Sequence, residues 1–317
     1  MSRPVRILVT GGAGFIGSHV ADAYIAAGHE VAILDNFSTG RQENVNAGAI
    51  VFRCDVRDRE DVEKAIASFK PDVVNHHAAQ SEVPRSVADP GYDAHVNIVG
   101  GLNLLKACAD REVRKVIFSS TGGALYGEPD IVPAAEDHPI RPLSPYGTSK
   151  YAFEQYLGTF QRTYGVDFTV LRYANIYGAR QDFYAEEGRV VAIFASRMLG
   201  GRHVTIDGDG GQSRDMLHVG DVATANLAAL DAGSGGTFHV STAMPVTVND
   251  LFRKLALLID YRLKPMFGPA RKGDVYRIAL DNHSARVHLG WEPRITLEEG
   301  LSRTVDYFRE RVANAGS

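Results

Sequence analysis

Short apolar runs alternate with longer stretches of helical spacing through the first two thirds of the chain. The strand candidates are Arg6–Thr10, Glu30–Asp35, Ile50–Asp55, Asp72–Asn75, Lys115–Ser120 and Asp167–Arg172. Several are apolar at successive positions, as in Val116, Ile117 and Phe118. Runs of that kind suit strands covered on both faces, which is the situation in a parallel sheet. Helical spacing fills the gaps at Gly14–Ala27, Arg59–Phe69, Tyr92–Arg111 and Pro145–Tyr164. Strand, helix and strand in succession predict an α/β protein, a doubly wound parallel sheet of the Rossmann type.

Beyond about Gly178 the alternation loosens. Gln181–Arg189 is polar and predicts a loop, Val190–Leu199 a helix, His203–Ile206 a short strand and Asp207–Ser213 a glycine-rich turn. Asp221–Leu230, Val248–Ile259 and Leu297–Arg311 return to helical spacing. We read residues 1–180 as a dinucleotide-binding domain. Residues 181–317 then form mainly a smaller α/β substrate-binding lobe, with some segments returning to the sheet.

The first strand runs into Thr10-Gly-Gly-Ala-Gly-Phe-Ile-Gly17 and then a helix. Glycines at 11, 14 and 17 let the backbone turn tightly and approach a pyrophosphate, while the helix N-terminus offers N–H donors. A glycine triplet alone is a weak signal, but its place between a strand and a helix is the confirming context. Asp35, at the end of the second strand, can accept from adenosine ribose hydroxyls and would repel a 2′-phosphate. That favours NAD over NADP, with Arg41 as the counter-argument. Asp55 and Val56, after the third strand, are placed to approach the adenine.

Tyr146 and Lys150 lie near the start of a predicted helix, one turn apart and so on a shared face. A free phenol has a pKa near about 10, and a neighbouring cation would draw it toward working range as an acid–base group. The spacing is common by chance. It gains weight from Ser119-Ser120-Thr121-Gly122-Gly123 at the carboxyl end of a central strand, where doubly wound sheets hold ligands. Thr121 is the first choice for a hydroxyl bridging substrate and Tyr146, and Ser120 the second.

With these segments the chain resembles the extended short-chain dehydrogenase/reductase superfamily and, within it, the UDP-glucose 4-epimerase group of nucleotide-sugar epimerases. The carriers are Thr-Gly-Gly-Ala-Gly-Phe-Ile-Gly at 10–17, Leu-Asp-Asn at 34–36, and Asn-His-His-Ala-Ala-Gln at 75–80. Ser-Ser-Thr-Gly-Gly-Ala-Leu-Tyr-Gly at 119–127, Ser-Pro-Tyr-Gly-Thr-Ser-Lys at 144–150 and Leu-Arg-Tyr-Ala-Asn-Ile-Tyr-Gly at 171–178 complete them. The resemblance implies NAD as cofactor, held by Gly11, Gly14, Phe15, Ile16, Gly17, Asp35, Asn36, Asp55 and Val56. Ala78, Ala79, Gln80, Asn97, Tyr146, Lys150 and Tyr173 would join them. It implies a UDP-sugar substrate held by Thr121, Asn175, Val190, Arg214, Arg271 and Asp274, with Tyr146, Lys150 and Thr121 catalytic. It also implies a homodimer joined through a four-helix bundle built from the helices at 92–111 and 145–164. Asn97 as a plain helix hydrogen-bonder and Tyr173 as a core aromatic remain alternatives.

The resemblance has three departures. The hydroxyl loop is one residue longer than the common epimerase version, Met216 stands where tyrosine is frequent, and Ile278 falls near the position that gates sugar size. The activity implied is 4-epimerisation of UDP-glucose and UDP-galactose through a 4-keto intermediate. The rivals are a UDP-glucuronate 4-epimerase or decarboxylase, with Arg180 or Arg189 reading the carboxylate, a 4,6-dehydratase and a simple reductase. A dehydratase needs an acidic pair after the strand-end Thr, and Gly122-Gly123 stand there. A sensing module without catalysis would be expected to have lost Tyr146 or Lys150.

Composition narrows this little further. The 317 residues are 44% hydrophobic and 23% charged, as in a globular protein. A net charge of −4 gives no reason to expect nucleic acid. No apolar run reaches the roughly 18–20 residues of a membrane span. Cys54 and Cys108 are expected as buried free thiols of a reducing cytoplasm, and no metal site is expected. Asp207-Gly-Asp-Gly-Gly lacks the later acidic positions of a calcium loop, and adjacent strand residues such as His76 and His77 point to opposite faces.

Overall fold

The computed structural model describes residues 4–183, 189–270 and 275–315, with side chains through 313. In chain order, the first half holds β1 (Arg6–Thr10), α1 (Phe15–Ala26), β2 (Glu30–Asp35), β3 (Ile50–Arg53), α2 (Arg59–Phe69), β4 (Val73–His76), α3 (Val83–Ala88) and α4 (Pro90–Ala94). A π-helical turn at His95–Gly100 leads into α5 (Gly101–Asp110), then β5 (Lys115–Thr121), α6 (Pro145–Tyr164) and β6 (Asp167–Tyr173). There follow β7 (Asn175–Tyr177), α7 (Val190–Leu199), β8 (Thr205–Asp207), β9 (Ser213–His218), α8 (Val219–Ala228), β10 (Gly236–Val240) and β11 (Pro245–Thr247). The chain closes with α9 (Val248–Ile259), β12 (Met266–Gly268), α10 (His283–His288) and α11 (Leu297–Ala315).

Seven strands form one parallel sheet in the order β3-β2-β1-β4-β5-β6-β10. The near-continuous apolar runs have a direct cause in this sheet. Ile7, Val9, Val31, Ile33, Ile117 and Leu171 enter one core, with Tyr24 of α1 and Val222 and Ala225 of α8. Their neighbours Leu8, Ala32, Leu34, Val116, Phe118 and Val170 enter the other, with Ile66 of α2, Leu104 of α5 and Phe153 of α6. Successive side chains alternate faces, and both faces are dry. The protein is therefore a doubly wound α/β fold.

A third core joins Phe194 of α7, Leu255 of α9 and Val305 of α11 to Ile206 and Met216. Over it lie a three-stranded sheet, β11-β9-β7, and a two-stranded parallel one, β12-β8.

Four expectations about elements need correction. The stretch 92–111 is not one helix: α4 starts at Pro90, and the π-helical turn inserts before α5. The third strand ends at Arg53 rather than at Asp55. The short strand expected at 203–206 is β8, starting at Thr205, and the turn after it gives way at Ser213 to β9. β10, an edge strand of the main sheet, had no counterpart among the strand candidates.

Order of strands reverses between β1 and β4, which send their connections to opposite sides. The crevice at their carboxyl ends is where such folds bind ligands. Among the described residues no helix is long and apolar enough to cross a membrane.

Candidate active site

A cavity of about 760 Å³ opens at that crevice. Its floor begins with the turn between β1 and α1. Gly11 has φ +67°, and a Cβ there would stand 2.7 Å from the Ala78 nitrogen. A Cβ on Gly17 would stand 2.2 Å from the Gly11 carbonyl oxygen. Only glycine lets these backbones meet. α1 starts with Gly14 as its cap, with no side chain bonded to the first turn and no acidic residue in it. Its N–H groups and positive dipole end are thus left to an anion.

Asp35 is buried at the end of β2, and both of its oxygens accept backbone N–H bonds: Ala13 at 3.0 Å and Phe37 at 2.8 Å. Burial pushes its pKa up, against those bonds and the charge of Arg53. Gly40 packs on this carboxylate so closely that a Cβ would sit 2.9 Å from Oδ1. Arg41 is drawn away to Asp182 at 3.2 Å and Glu43 at 3.8 Å. Negative charge and crowding together disfavour a 2′-phosphate beside Asp35. Asp55 binds Arg57 at 2.8 Å and Asn36 at 2.7 Å, and these partners, Arg57 first, hold its carboxyl below the usual range.

The wall after β4 is organised by Asn97. Its Oδ1 accepts from the Gln80 N–H at 2.9 Å, and its Nδ2 donates to Gln80 O, Asp93 and Ser149 within 3.1 Å. Asn97 supports the Ala78–Gln80 wall from behind and does not itself line the cavity. The π-helical turn sets that orientation, a use such turns often have near functional sites.

Tyr146 and Lys150 come from the first turns of α6. Ser144 caps this helix by accepting from the Gly147 N–H at 3.2 Å, with Pro145 at the first position. A Cβ on Gly147 would stand 2.3 Å from Ala124 O, so the first turn packs directly on the segment after β5. The same contact brings Tyr146 beside Thr121. Burial raises the Tyr146 phenol to about 12, with Asp93 adding to it and the Thr121 hydroxyl acting against it. Burial lowers Lys150 to about 7, against the charges of Glu154 and Asp93. Its ammonium lies 4.2 Å from the centre of the Phe118 ring. Desolvation governs both groups, and the expected pull of Lys150 does not set the phenol's pKa.

Because folding depresses the Lys150 pKa, the fold carries a cost for its proton. Lys150→Met should raise the melting temperature of the protein by at least about 2 °C while abolishing turnover. The gain should be fullest at and below pH 7 and fade as pH rises toward the ordinary lysine value near about 10.4. Thermal unfolding across that pH range checks it; a variant less stable than the parent at pH 7 would contradict it.

Of the three hydroxyls at the end of β5, Ser119 reaches the Tyr173 phenol and Ser120 donates to Glu154 at 2.5 Å, so Thr121 is the one beside Tyr146. Tyr173 is also held by Asn226 at 2.8 Å. Phe15, Ile16, Val56, Ala79 and Asn175 stand on the same cavity wall. Val190 and Arg214 do not, and Arg214 bonds the Ser213 carbonyl at 2.9 Å. Arg271 and Asp274 lie outside the described residues. Ile278 is buried in the core rather than on the cavity wall, which removes the basis for reading it as a gate.

Sequence reasoning missed Ser38, Thr39 and Gly40, which line the cavity beyond Asp35 together with Arg41, and Arg85, which lines it near Tyr92. The Ser-Thr-Gly composition at 38–40 was the available signal for the first. His77 lines the cavity with its ring roughly parallel to Tyr173, while His76 turns away to Thr10 at 2.7 Å. Among the described residues no group of three His, Cys, Asp or Glu side chains could hold a metal ion. Cys54 and Cys108 are buried and free.

The glycine cradle, the uncapped helix end and the buried Asp35 fit a dinucleotide: diphosphate on the first two, ribose hydroxyls on the third. Comparison with known proteins agrees. The family described as NAD dependent epimerase/dehydratase matches residues 7–241. A protein of Methanocaldococcus jannaschii named as a putative UDP-glucose 4-epimerase is 44% identical over 96% of this chain and 98% of its own. UDP-glucose 4-epimerase of Thermotoga maritima, solved with UDP-glucose, superimposes with a TM-score of 0.95 at 48% identity, covering 97% of this chain and 99% of that one. The UDP-glucose 4-epimerase of Thermus thermophilus, solved with NAD, gives 0.90 at 46% identity, covering 96% and 99%. The chain belongs to the NAD-dependent epimerase/dehydratase family, with the extended short-chain dehydrogenase/reductase fold and NAD as its cofactor.

Proposed function

We propose that the protein is a UDP-hexose 4-epimerase that interconverts UDP-glucose and UDP-galactose. The observation that carries this reading is the shared cavity wall of Thr121, Tyr146 and Lys150, facing the glycine cradle across one crevice. The near end-to-end likeness to proteins named as UDP-glucose 4-epimerases points the same way.

NAD, when bound, accepts and returns a hydride. Tyr146 takes the proton of the sugar 4-hydroxyl, with Thr121 orienting that hydroxyl and Lys150 supplying the nearby positive charge. The 4-keto sugar turns about its bond to the diphosphate, so that the hydride returns to the opposite face of C4 while Tyr146 returns the proton to the 4-oxygen. Such a cycle needs a firm grip on the nucleotide and a loose one on the hexose. Asn175, which lines the cavity, would hold the diphosphate. Val190, Arg214, Arg271 and Asp274 are assigned to the nucleotide and sugar by resemblance. Residues 1–180 hold the dinucleotide in this reading, and 181–317 mainly the sugar nucleotide.

Two features weigh against the rivals. Gly122 and Gly123 stand directly after Thr121, where a dehydratase would need an acidic pair, and the Leu280 side chain packs over Gly122, 2.2 Å from where a Cβ would stand. Arg180 and Arg189, the candidates for reading a uronate, already hold Asp22 at 2.7 Å and Asp182 at 3.5 Å. Exposed Val99, beside α5, and Tyr156, on α6, support a homodimer through these helices. Two free buried thiols suit a reducing cytoplasm.

The test is to incubate the protein with UDP-glucose, UDP-N-acetylglucosamine and UDP-glucuronate and resolve the products by NMR. UDP-glucose should give UDP-galactose with kcat/KM about 10²-fold above UDP-glucuronate. Pentose formation from UDP-glucuronate, or a 4-keto-6-deoxy product, would overturn the reading.

A further inference from the structure

We propose that Glu154 is a positioning residue for the reaction: it holds Ser120 away from the sugar and sets a negative charge one helical turn from the Lys150 ammonium. The inference rests on the acid–base roles given above to Tyr146, Lys150 and Thr121. Glu154 is almost fully buried on α6, two turns beyond Tyr146. One oxygen accepts from Ser120 at 2.5 Å. The carboxylate also receives Arg172 Nη2 at 2.6 Å and Nε at 3.1 Å. Arg172 lies directly across from Ser120 in the pairing of β6 with β5, and its Nη1 donates to Tyr126 at 2.6 Å. Tyr126 is bonded in turn to His239 at 2.6 Å. A chain of buried polar groups thus fixes Glu154 from two strands, and neither Glu154 nor Arg172 lines the cavity.

That placement does two things. It commits the Ser120 hydroxyl, so that of two adjacent candidates only Thr121 is free for the sugar. It also faces Lys150 from its own helix. The other ionisable groups around Lys150 are Asp93 from α4, Tyr146 on α6, and His76 and His77 at the end of β4. Both histidines are held neutral by burial, with Lys150 adding to it. Glu154 and Asp93 are the two anions that favour the ammonium.

The experiment follows Lys150 directly in NAD-loaded protein carrying isotope-labelled lysine, its NMR signal assigned with Lys150→Met. In Glu154→Gln the titration midpoint should move to lower pH by about one unit or more. Should that variant fail to fold, Glu154→Gln with Arg172→Gln removes both charges together and keeps the measurement available. Ser120→Ala should keep turnover within about tenfold of the parent, whereas Thr121→Ala should lose about 10²-fold or more. An unmoved lysine midpoint, or equal losses in the two hydroxyl variants, would overturn the proposal for Glu154. Absence of C4 inversion in the parent protein would instead sink the epimerase reading, leaving the lysine titration to be judged by itself.

Discussion

Tyr146→Phe is expected to keep the fold and the bound dinucleotide and to lose turnover by about 10²–10⁴-fold. The change removes one oxygen from a side chain whose ring stays packed at the start of α6. In the proposed reaction that oxygen moves a proton between the sugar and the protein. Burial holds the phenol at about 12, so in the resting fold it is protonated at neutral pH. As an acid it is ready; as a base it would need the positive charge of Lys150 and, with NAD bound, that of the oxidised nicotinamide. A substitution that spares the ring and its neighbours therefore separates chemistry from binding. Turnover under saturating sugar nucleotide, with NAD content read on the purified protein, checks this. Near-normal turnover would remove Tyr146 from the mechanism.

Arg172→Met should destabilise the protein by about 3–5 kcal/mol. Arg172 and Glu154 are both almost fully buried. Burial works against the charge on Arg172, yet its bonds to Glu154 outweigh that and raise its pKa above the ordinary value. Taking away the guanidinium leaves a buried carboxylate that must stay unpaired or take up a proton, and it leaves the Tyr126 hydroxyl with His239 alone of these two partners. Since this pair ties β6 to α6, the loss should also loosen the helix that carries Tyr146 and Lys150. Replacing both partners, as Arg172→Met with Glu154→Leu, should recover most of the stability, because no charge is then left in the core. Chemical denaturation of the two variants decides it: a single variant within about 1 kcal/mol of the parent would show that the pair carries little.

Most of the central sheet was legible in sequence because its inner strands bury successive residues in two dry cores. β9 and β10 were hidden for the opposite reason. Asp215 of β9 is buried but satisfied by Thr242, Ala243 and Leu280, and β10 buries His239 against Tyr126, so hydropathy alone does not mark either strand. The π-helical turn changes the helical period over a few residues without altering composition, and read as continuous helix.

For the site, the glycine spacing and the one-turn separation of Tyr146 and Lys150 were visible because they are local. The choice between Ser120 and Thr121 was not, since it depends on Glu154 and Arg172, which fold back from later segments. Desolvation of Lys150 was equally invisible, because the residues that bury it, Phe118 among them, come from other elements.

In the proposed cycle hydride leaves and returns to the same carbon of the sugar within one binding event. UDP-glucose carrying deuterium at C4, incubated in ordinary water with the NAD-loaded protein, should yield UDP-galactose that keeps the label at C4, with no reduced cofactor accumulating. Loss of the label to solvent, or its appearance in released reduced cofactor, would contradict it.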